Sequence, residues 1–175
     1  MPTISGIRKA KVSITRLQRG GWTISCTQHI ARTPQEVFLF FAQARNLELI
    51  TPPFLHFNIL HISETSLKAG STIDYTLRLH NIPVFWRTLI SEWTPPDKFI
   101  DVQRIGPFKV WHHVHEFVPV AGGTEIHDTV TFDLYCSSLA NTPLLKWVLS
   151  DLQQIFEFRQ ATVSELLVNY VASGH

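Results

Sequence analysis

Two imidazoles sit two residues apart between large aromatics in Trp111-x-His113-x-His115-x-Phe117. On a β-strand, residues two apart share a face, so this spacing puts both rings on one side. The chemistry open to such a pair is proton transfer, metal ligation or hydrogen bonding to a polar group on a bound molecule. The neighbouring run, Thr124 to Leu134, says which side is inward. Its even positions read Ile126, Asp128, Val130, Phe132 and Leu134, and its odd positions Glu125, His127, Thr129, Thr131 and Asp133. That alternation is the signature of a half-buried strand, and Asp128 alone interrupts its apolar side. Gly122-Gly123 is a good two-residue hairpin turn. Pairing across it sets Phe117 opposite Asp128 and His115 opposite Val130, with Asp128 a diagonal neighbour of His115. A carboxylate beside an imidazole on an inward face points to a polar-lined pocket rather than a plain apolar core.

Further polar groups fall on inward positions. Asp101 and Gln103 share a strand side with Phe99, and Arg159 lies between Phe156 and Val163 on a helical stripe. An isolated buried charge is costly, so these groups must pair with one another or meet water or ligand. One outcome is an internal network in which Arg159 bridges an aspartate and the histidines are inert. The other is a site in which some of them orient a polar group on an otherwise apolar ligand. Its walls would be Tyr75, Leu77, Trp86, Ile90, Trp111, Phe117, Phe132 and Phe156. For catalysis, His113 or His115 oriented by Asp128 would move the proton.

His113, His115 and Asp128 would also make a two-histidine, one-carboxylate metal set. Against it, Glu116 directly follows His115 and faces away, so the strand lacks a carboxylate on the imidazole face. No metal or other cofactor is expected. Cys136 lies near a strand end with no base placed beside it, and reads as a small packed residue. No phosphate loop, dinucleotide fingerprint, zinc-finger spacing or nucleic-acid motif is present.

The elements that position these residues follow from periodicity. Trp22 to Arg32 reads as a strand. Thr33-Pro34-Gln35-Glu36 supplies the cap, proline and glutamate of a capping box before Val37-Phe38-Leu39-Phe40-Phe41. Asn46 can cap a second brief turn that Pro52-Pro53 stops. Period two then runs through Phe57–Ile62, Ser71–His80, Val84–Trp93, Phe99–Arg104, Phe108–Val118 and Thr124–Leu134. The separators, Lys68-Ala69-Gly70, Asn81-Ile82-Pro83, Thr94-Pro95-Pro96-Asp97 and Gly106-Pro107, are turn chemistry. From Thr142-Pro143 the period becomes 3.6, predicting a helix to about Val171 with Leu145, Val148, Leu152, Ile155, Phe156, Val163, Leu166 and Tyr170 as its apolar stripe. The expected fold is α+β, a seven-stranded antiparallel sheet whose apolar face only the long terminal helix can cover. A sheet curled around a helix leaves a cavity where the two do not touch.

With 175 residues, 45% of them hydrophobic and 17% charged, the chain fits one domain with a sizeable core. Net charge is +1, yet Arg8, Lys9, Lys11, Arg16, Arg19 and Arg32 precede the first acid. This basic start, residues 1–21, reads either as a targeting segment or surface-seeking arm, or as an edge strand in which Lys11 to Leu17 alternates. No apolar stretch is long enough to span a membrane. Cys26 and Cys136 are too few for a disulfide framework and suggest a reducing cytoplasm.

The chain resembles the helix-grip superfamily that includes START lipid-transfer domains, birch-pollen-allergen-type proteins and polyketide cyclases, often called SRPBCC. It is similar in particular to the bacterial ligand-binding SRPBCC-domain proteins. The residues that carry the resemblance are Asn46-Leu47-Glu48-Leu49-Ile50-Thr51-Pro52-Pro53, Phe99-Ile100-Asp101-Val102-Gln103 with Gly106-Pro107-Phe108, and Trp111, His113, His115 and Phe117. Gly123-Thr124, Asp128, Val130 and Ile155-Phe156-Glu157-Phe158-Arg159 complete the pattern, which spans about Trp22 to Val171. The resemblance implies a helix-grip domain over residues 22–175 with a hollow interior. The expected role is a carrier or sensor of a hydrophobic small molecule, with no nucleic-acid partner; the alternative is a cyclase or aromatase.

Overall fold

Local sequence explains each element that carries the site, in a computed structural model that describes residues 12–135 and 143–169. Lys11, Cys136, Thr142, Tyr170 and Val171 lie outside the described residues. Eight strands form one antiparallel sheet: β1 (Ser13–Arg16), β2 (Trp22–Ile30), β3 (Asn58–Ile62), β4 (Thr72–Leu79), β5 (Ile82–Thr94), β6 (Lys98–Ile105), β7 (Phe108–Val120) and β8 (Gly123–Leu134). Their spatial order is β1-β2-β8-β7-β6-β5-β4-β3. The strand beyond the expected seven is β1, an edge strand that pairs with β2 from Ser13 opposite Ser25 to Arg16 opposite Trp22.

Between β2 and β3 come helix α1 (Pro34–Phe41), helix α2 (Asn46–Leu49) and a single 3-10 turn at Pro53–Leu55. The capping box closes as its residues require: the Glu36 amide donates to Thr33 Oγ1, and the Thr33 amide donates to Glu36 Oε2. Asn46 does not cap α2. It is the first helical residue, and its side-chain amide donates to the Phe40 carbonyl at 2.7 Å, tying α2 back to α1.

Two turns differ from the sequence expectation. The β4–β5 turn is His80-Asn81, both in the left-handed region that a two-residue hairpin of this hand demands, and Ile82 and Pro83 belong to β5. At the β7–β8 hairpin the turn is Ala121-Gly122, and Gly123 is a strand residue opposite Val120. Gly123 is drawn into the strand because its backbone lies against the Ile30 carbonyl of β2, where a Cβ would collide. The register therefore moves by two, setting Phe117 opposite Ile126, His115 opposite Asp128 and His113 opposite Val130. A shift of two preserves every face. The inward side is as expected, and Asp128 stands directly across from His115 instead of diagonally.

Register shifts between Ile90 and Glu92, between Arg87 and Thr88, and between Phe108 and Val110 bend the sheet. Helix α3 (Pro143–Asn169) lies in the resulting concavity, about 40 Å long at 1.5 Å per residue. It turns Leu145, Leu152, Phe156, Gln160, Val163 and Leu167 to the interior. Its far end is tied to β2 and the segment that follows it: the Gln28 amide donates to the Gln160 carbonyl and Ser164 Oγ, and Arg32 Nε to the Leu167 carbonyl. One apolar cluster, with Ile24, Val130 and Phe132 from the β1 side of the sheet, Leu77 and Trp86 from β4 and β5, and Leu152 and Phe156 from α3, packs the helix into the sheet. A second, with Val37, Phe38, Phe99, Phe117 and Val163, seats α1 on β6, β7 and β8.

The turn glycine Gly122 and the first β8 residue, Gly123, should respond differently to a methyl group. Gly122→Ala meets nothing and carries only the left-handed backbone penalty, about 1–2 kcal/mol. Gly123→Ala must in addition push β8 off Ile30, so its loss in urea denaturation should clearly exceed that of Gly122→Ala; equal losses would contradict the crowding.

Candidate functional site

Three adjacent strands and the helix build the site. β6 supplies Asp101, β7 supplies His113 and His115, β8 supplies Asp128, and α3 supplies Phe156 and Arg159. The ladders place Asp101 opposite His113 and Asp128 opposite His115, all on the concave face. The two rings lie against each other with centroids 3.7 Å apart. His115 Nε2 is hydrogen-bonded to Asp101 Oδ2 at 3.1 Å, and its Nδ1 approaches Asp128 Oδ1 at 2.6 Å. The second contact lies off the line a hydrogen bond needs and is coulombic. His113 reaches the same two carboxylates at 3.5 Å and 3.4 Å, again without hydrogen-bond geometry. Phe99 stacks on His115 at 4.1 Å, and Phe156 flanks His113 at 5.7 Å.

Charge states follow from this packing. Burial by itself would raise Asp128 and Asp101, but the imidazoles beside them hold both carboxyls below the usual carboxylate range. Burial would lower His115, but Asp128 and Asp101 together outweigh it and raise its pKa. Burial and then the charge on His115 push His113 down to about 4. The packing therefore favours a proton on His115, between the two carboxylates, and leaves His113 neutral near pH 7. Cys26, 4.0 Å from Asp128, is pushed up to about 12 by burial and then by that carboxylate, so it remains a thiol. Asp101, His113 and His115 each place one ligand atom within 4.8 Å of the others, a spacing a metal ion could bridge.

In front of this cluster lies a cavity of about 540 Å³ between the sheet and α3. Its wall is largely apolar and includes Tyr75, Leu77, Trp86, Ile90, Trp111 and Phe156 among the sequence candidates. Asp101, His113, His115 and Arg159 gather its inner polar groups, with Asp128 behind the histidines, while Gln43, Asn46, Thr51 and Thr88 add further polar points and the His80–Asp151 pair lies toward the mouth. Three candidates are placed off the wall. Gln103 closes the β6–β7 turn, donating from Nε2 to the Phe108 carbonyl at 2.6 Å and accepting from the Phe108 amide. Phe117 packs under α1 against Phe38 and Phe99, and Phe132 packs between Trp22 and Phe108. Arg159 does not bridge an aspartate: among the described residues no carboxylate lies within ion-pair distance of it, and its guanidinium lies over the Phe156 ring at 5.4 Å.

Sequence reading missed two parts of the wall. Phe40, Phe41, Ala44, Leu47 and Ile50 close one end from α1 and α2, although the apolar run at Val37–Phe41 was visible. Ile82, Tyr135, Leu144 and Trp147 line the cavity while remaining strongly solvent-exposed, so they form its mouth. Large exposed apolar residues beside a cavity were the available signal, but their grouping needs the fold.

No family model matches the chain, and no curated protein matches it. Solved structures do. The protein TTHA0849 from Thermus thermophilus is 16% identical with a TM-score of 0.66, covering 86% of this chain and 99% of that one. Ara h 8.0201 is 15% identical with a TM-score of 0.62, covering 84% and 97%. The di-domain ARO/CYC StfQ from the steffimycin biosynthetic pathway is 13% identical with a TM-score of 0.68, covering 84% of this chain and 50% of StfQ. At these identities the likeness shows the fold alone, a helix-grip fold in which a curved antiparallel sheet holds a long C-terminal helix.

The cluster predicts a stability profile with a defined sign. The folded pKa of His113, about 4, lies below its ordinary 6.5, so the unfolded chain takes a proton first as pH falls. Its contribution is full above about 6.5 and is lost between 6.5 and 4, by up to about 3 kcal/mol. The raised pKa of His115 works oppositely, full below its ordinary value and lost as pH rises through the folded one. The lowered carboxylates contribute above their ordinary range and lose it as pH falls through their folded values. Urea denaturation across pH should show His113→Gln flattening the fall between 6.5 and 4. His115→Gln, which leaves the buried Asp128 and the half-buried Asp101 without their shared imidazole, should cost about 3–5 kcal/mol at neutral pH.

Proposed function

We propose that this protein binds a hydrophobic small molecule in the cavity between the sheet and α3, as a carrier or sensor. The observation that carries the reading is the cavity itself: about 540 Å³ and largely apolar along its walls, with Asp101, His113, His115 and Arg159 at its inner end. That volume and lining are those of sites for small organic ligands. Folded interiors are otherwise close-packed, so an apolar void of this size forfeits dispersion contacts that a ligand would restore. No helix among the described residues is long and apolar enough to cross a membrane.

The second reading is a cyclase or aromatase-type enzyme, a class represented by the ARO/CYC StfQ among the structures of this fold. His113 favours it, because it lines the cavity and its Nε2 lacks a hydrogen-bond partner among the described residues. His115 is held more tightly, with Nε2 hydrogen-bonded to Asp101 and Nδ1 2.6 Å from Asp128, against 3.5 Å and 3.4 Å for the nitrogens of His113. A neutral imidazole pushed down to about 4 is also a weak base at neutral pH. Binding is therefore the stronger reading.

Native mass spectrometry on untagged protein purified without imidazole tests it. The expected result is a stoichiometric organic adduct, or, for protein that arrives empty, saturable enhancement of the neutral dye Nile red. Leu77→Trp, which fills the cavity from β4, should lower dye affinity by about tenfold or more while the circular dichroism is unchanged. Absence of adduct together with no saturable dye binding would overturn the reading, and a metal adduct would redirect it to Asp101, His113 and His115.

A further inference from the structure

Arg159 is the one cationic residue among the described residues that line the cavity, the histidines aside. Its Nε is buried without a hydrogen-bond partner among the described residues, and no carboxylate there lies within ion-pair distance. The two carboxylates of the cluster are committed to the imidazoles, His115 above all. Arg159 is half-buried, but a buried guanidinium N–H without an acceptor is costly, and the group's flat fork of donors matches a carboxylate well. Trp86 adds a second buried N–H on the cavity wall with no acceptor among the described residues. Both unmet groups are donors, so what enters must accept.

The helix gives the ligand its direction. The lining residues of α3 run from Leu144 and Trp147 at the exposed mouth, through Val148, Asp151, whose carboxylate is paired with His80, Leu152, Ile155 and Phe156, to Arg159. Leu144 to Arg159 spans about 22 Å at 1.5 Å per residue, and the intervening wall is mostly apolar. Resting on the binding reading above, we infer that the ligand is an elongated apolar molecule ending in a carboxylate, seated head inward on Arg159 with its tail toward Trp147. Charge argues for one negative charge and not two. Asp101 and Asp128 already place two carboxylates at this end of the cavity, against the imidazoles and Arg159. A carboxylate adds one charge to a buried site, and a phosphate monoester adds nearly two.

The test uses the whole untagged chain with Nile red bound, displaced by dodecanoate, methyl dodecanoate or dodecyl phosphate. Wild-type protein should prefer dodecanoate to its methyl ester by about tenfold or more, the range expected for hydrogen bonds to a charged group. Dodecyl phosphate should be the weaker anion. Arg159→Gln should abolish the preference for the acid while leaving methyl dodecanoate and dye binding in place, and Arg159→Lys should restore part of it. Equal displacement by acid and ester, a preference that survives Arg159→Gln, or tighter binding of the phosphate would each overturn the inference while leaving the cavity reading intact. Failure of wild-type protein to bind the dye or any of the three would overturn both. If Arg159→Gln does not fold, the wild-type comparison of acid with ester decides alone.

Discussion

His115 stands between two buried carboxylates on neighbouring strands, and much else in the molecule is arranged around that clamp. Asp101 on β6 takes its Nε2 and Asp128 on β8 faces its Nδ1, so one protonated ring joins three strands through side chains as well as through the backbone ladders. Removing such charges from water is expensive, and only close mutual approach offsets the cost. Phe99 and Phe41 cover the ring and keep the site dry, which strengthens the attraction it depends on. The clamp also favours one register. Sliding β8 by two residues would preserve the apolar faces but separate Asp128 from His115, so face periodicity alone does not distinguish the two pairings.

The same clamp divides the roles of two neighbouring histidines. His115 holds the shared proton, and its charge together with burial keeps His113 neutral. A pair that looks equivalent along the strand is thus one imidazolium enclosed by carboxylates and one neutral ring at the cavity wall. Cys26 follows from the same charge: a thiol behind Asp128 has every reason to keep its proton. The inner end of the cavity owes its charge to this arrangement on β6, β7 and the late part of α3, while at the mouth the His80–Asp151 pair sits among exposed apolar residues such as Trp147.

Much of the fold was legible because it rests on local rules. The Thr33 to Glu36 capping box, the alternation along Thr124 to Leu134 and the change of period after Pro143 each depend on residues close in sequence, and each produced its element. The inward placement of Asp101, His113, His115 and Asp128 followed from strand parity. What failed was decided by contacts between distant segments. Gly123 looked like a turn residue, but crowding by Ile30 made it a strand residue. Asn46 looked like a cap, but its amide found the Phe40 carbonyl. Gln103 had inward parity, yet the unsatisfied amide and carbonyl of Phe108 claimed its side chain.

The helix-grip layout, the concave face and the set of ionisable groups that share it follow from the order of amino acids alone, because periodicity and turn chemistry act within a few residues. How those groups divide their protons and partners was settled by packing in three dimensions. Asp101 and Asp128 could each have taken Arg159; the curvature of the sheet and the seating of α3 gave both to the histidines and left the guanidinium facing the cavity. Electrostatic pairing in a buried site turns on separations of a few ångströms between segments far apart in the chain, and no spacing along the sequence carries that distance.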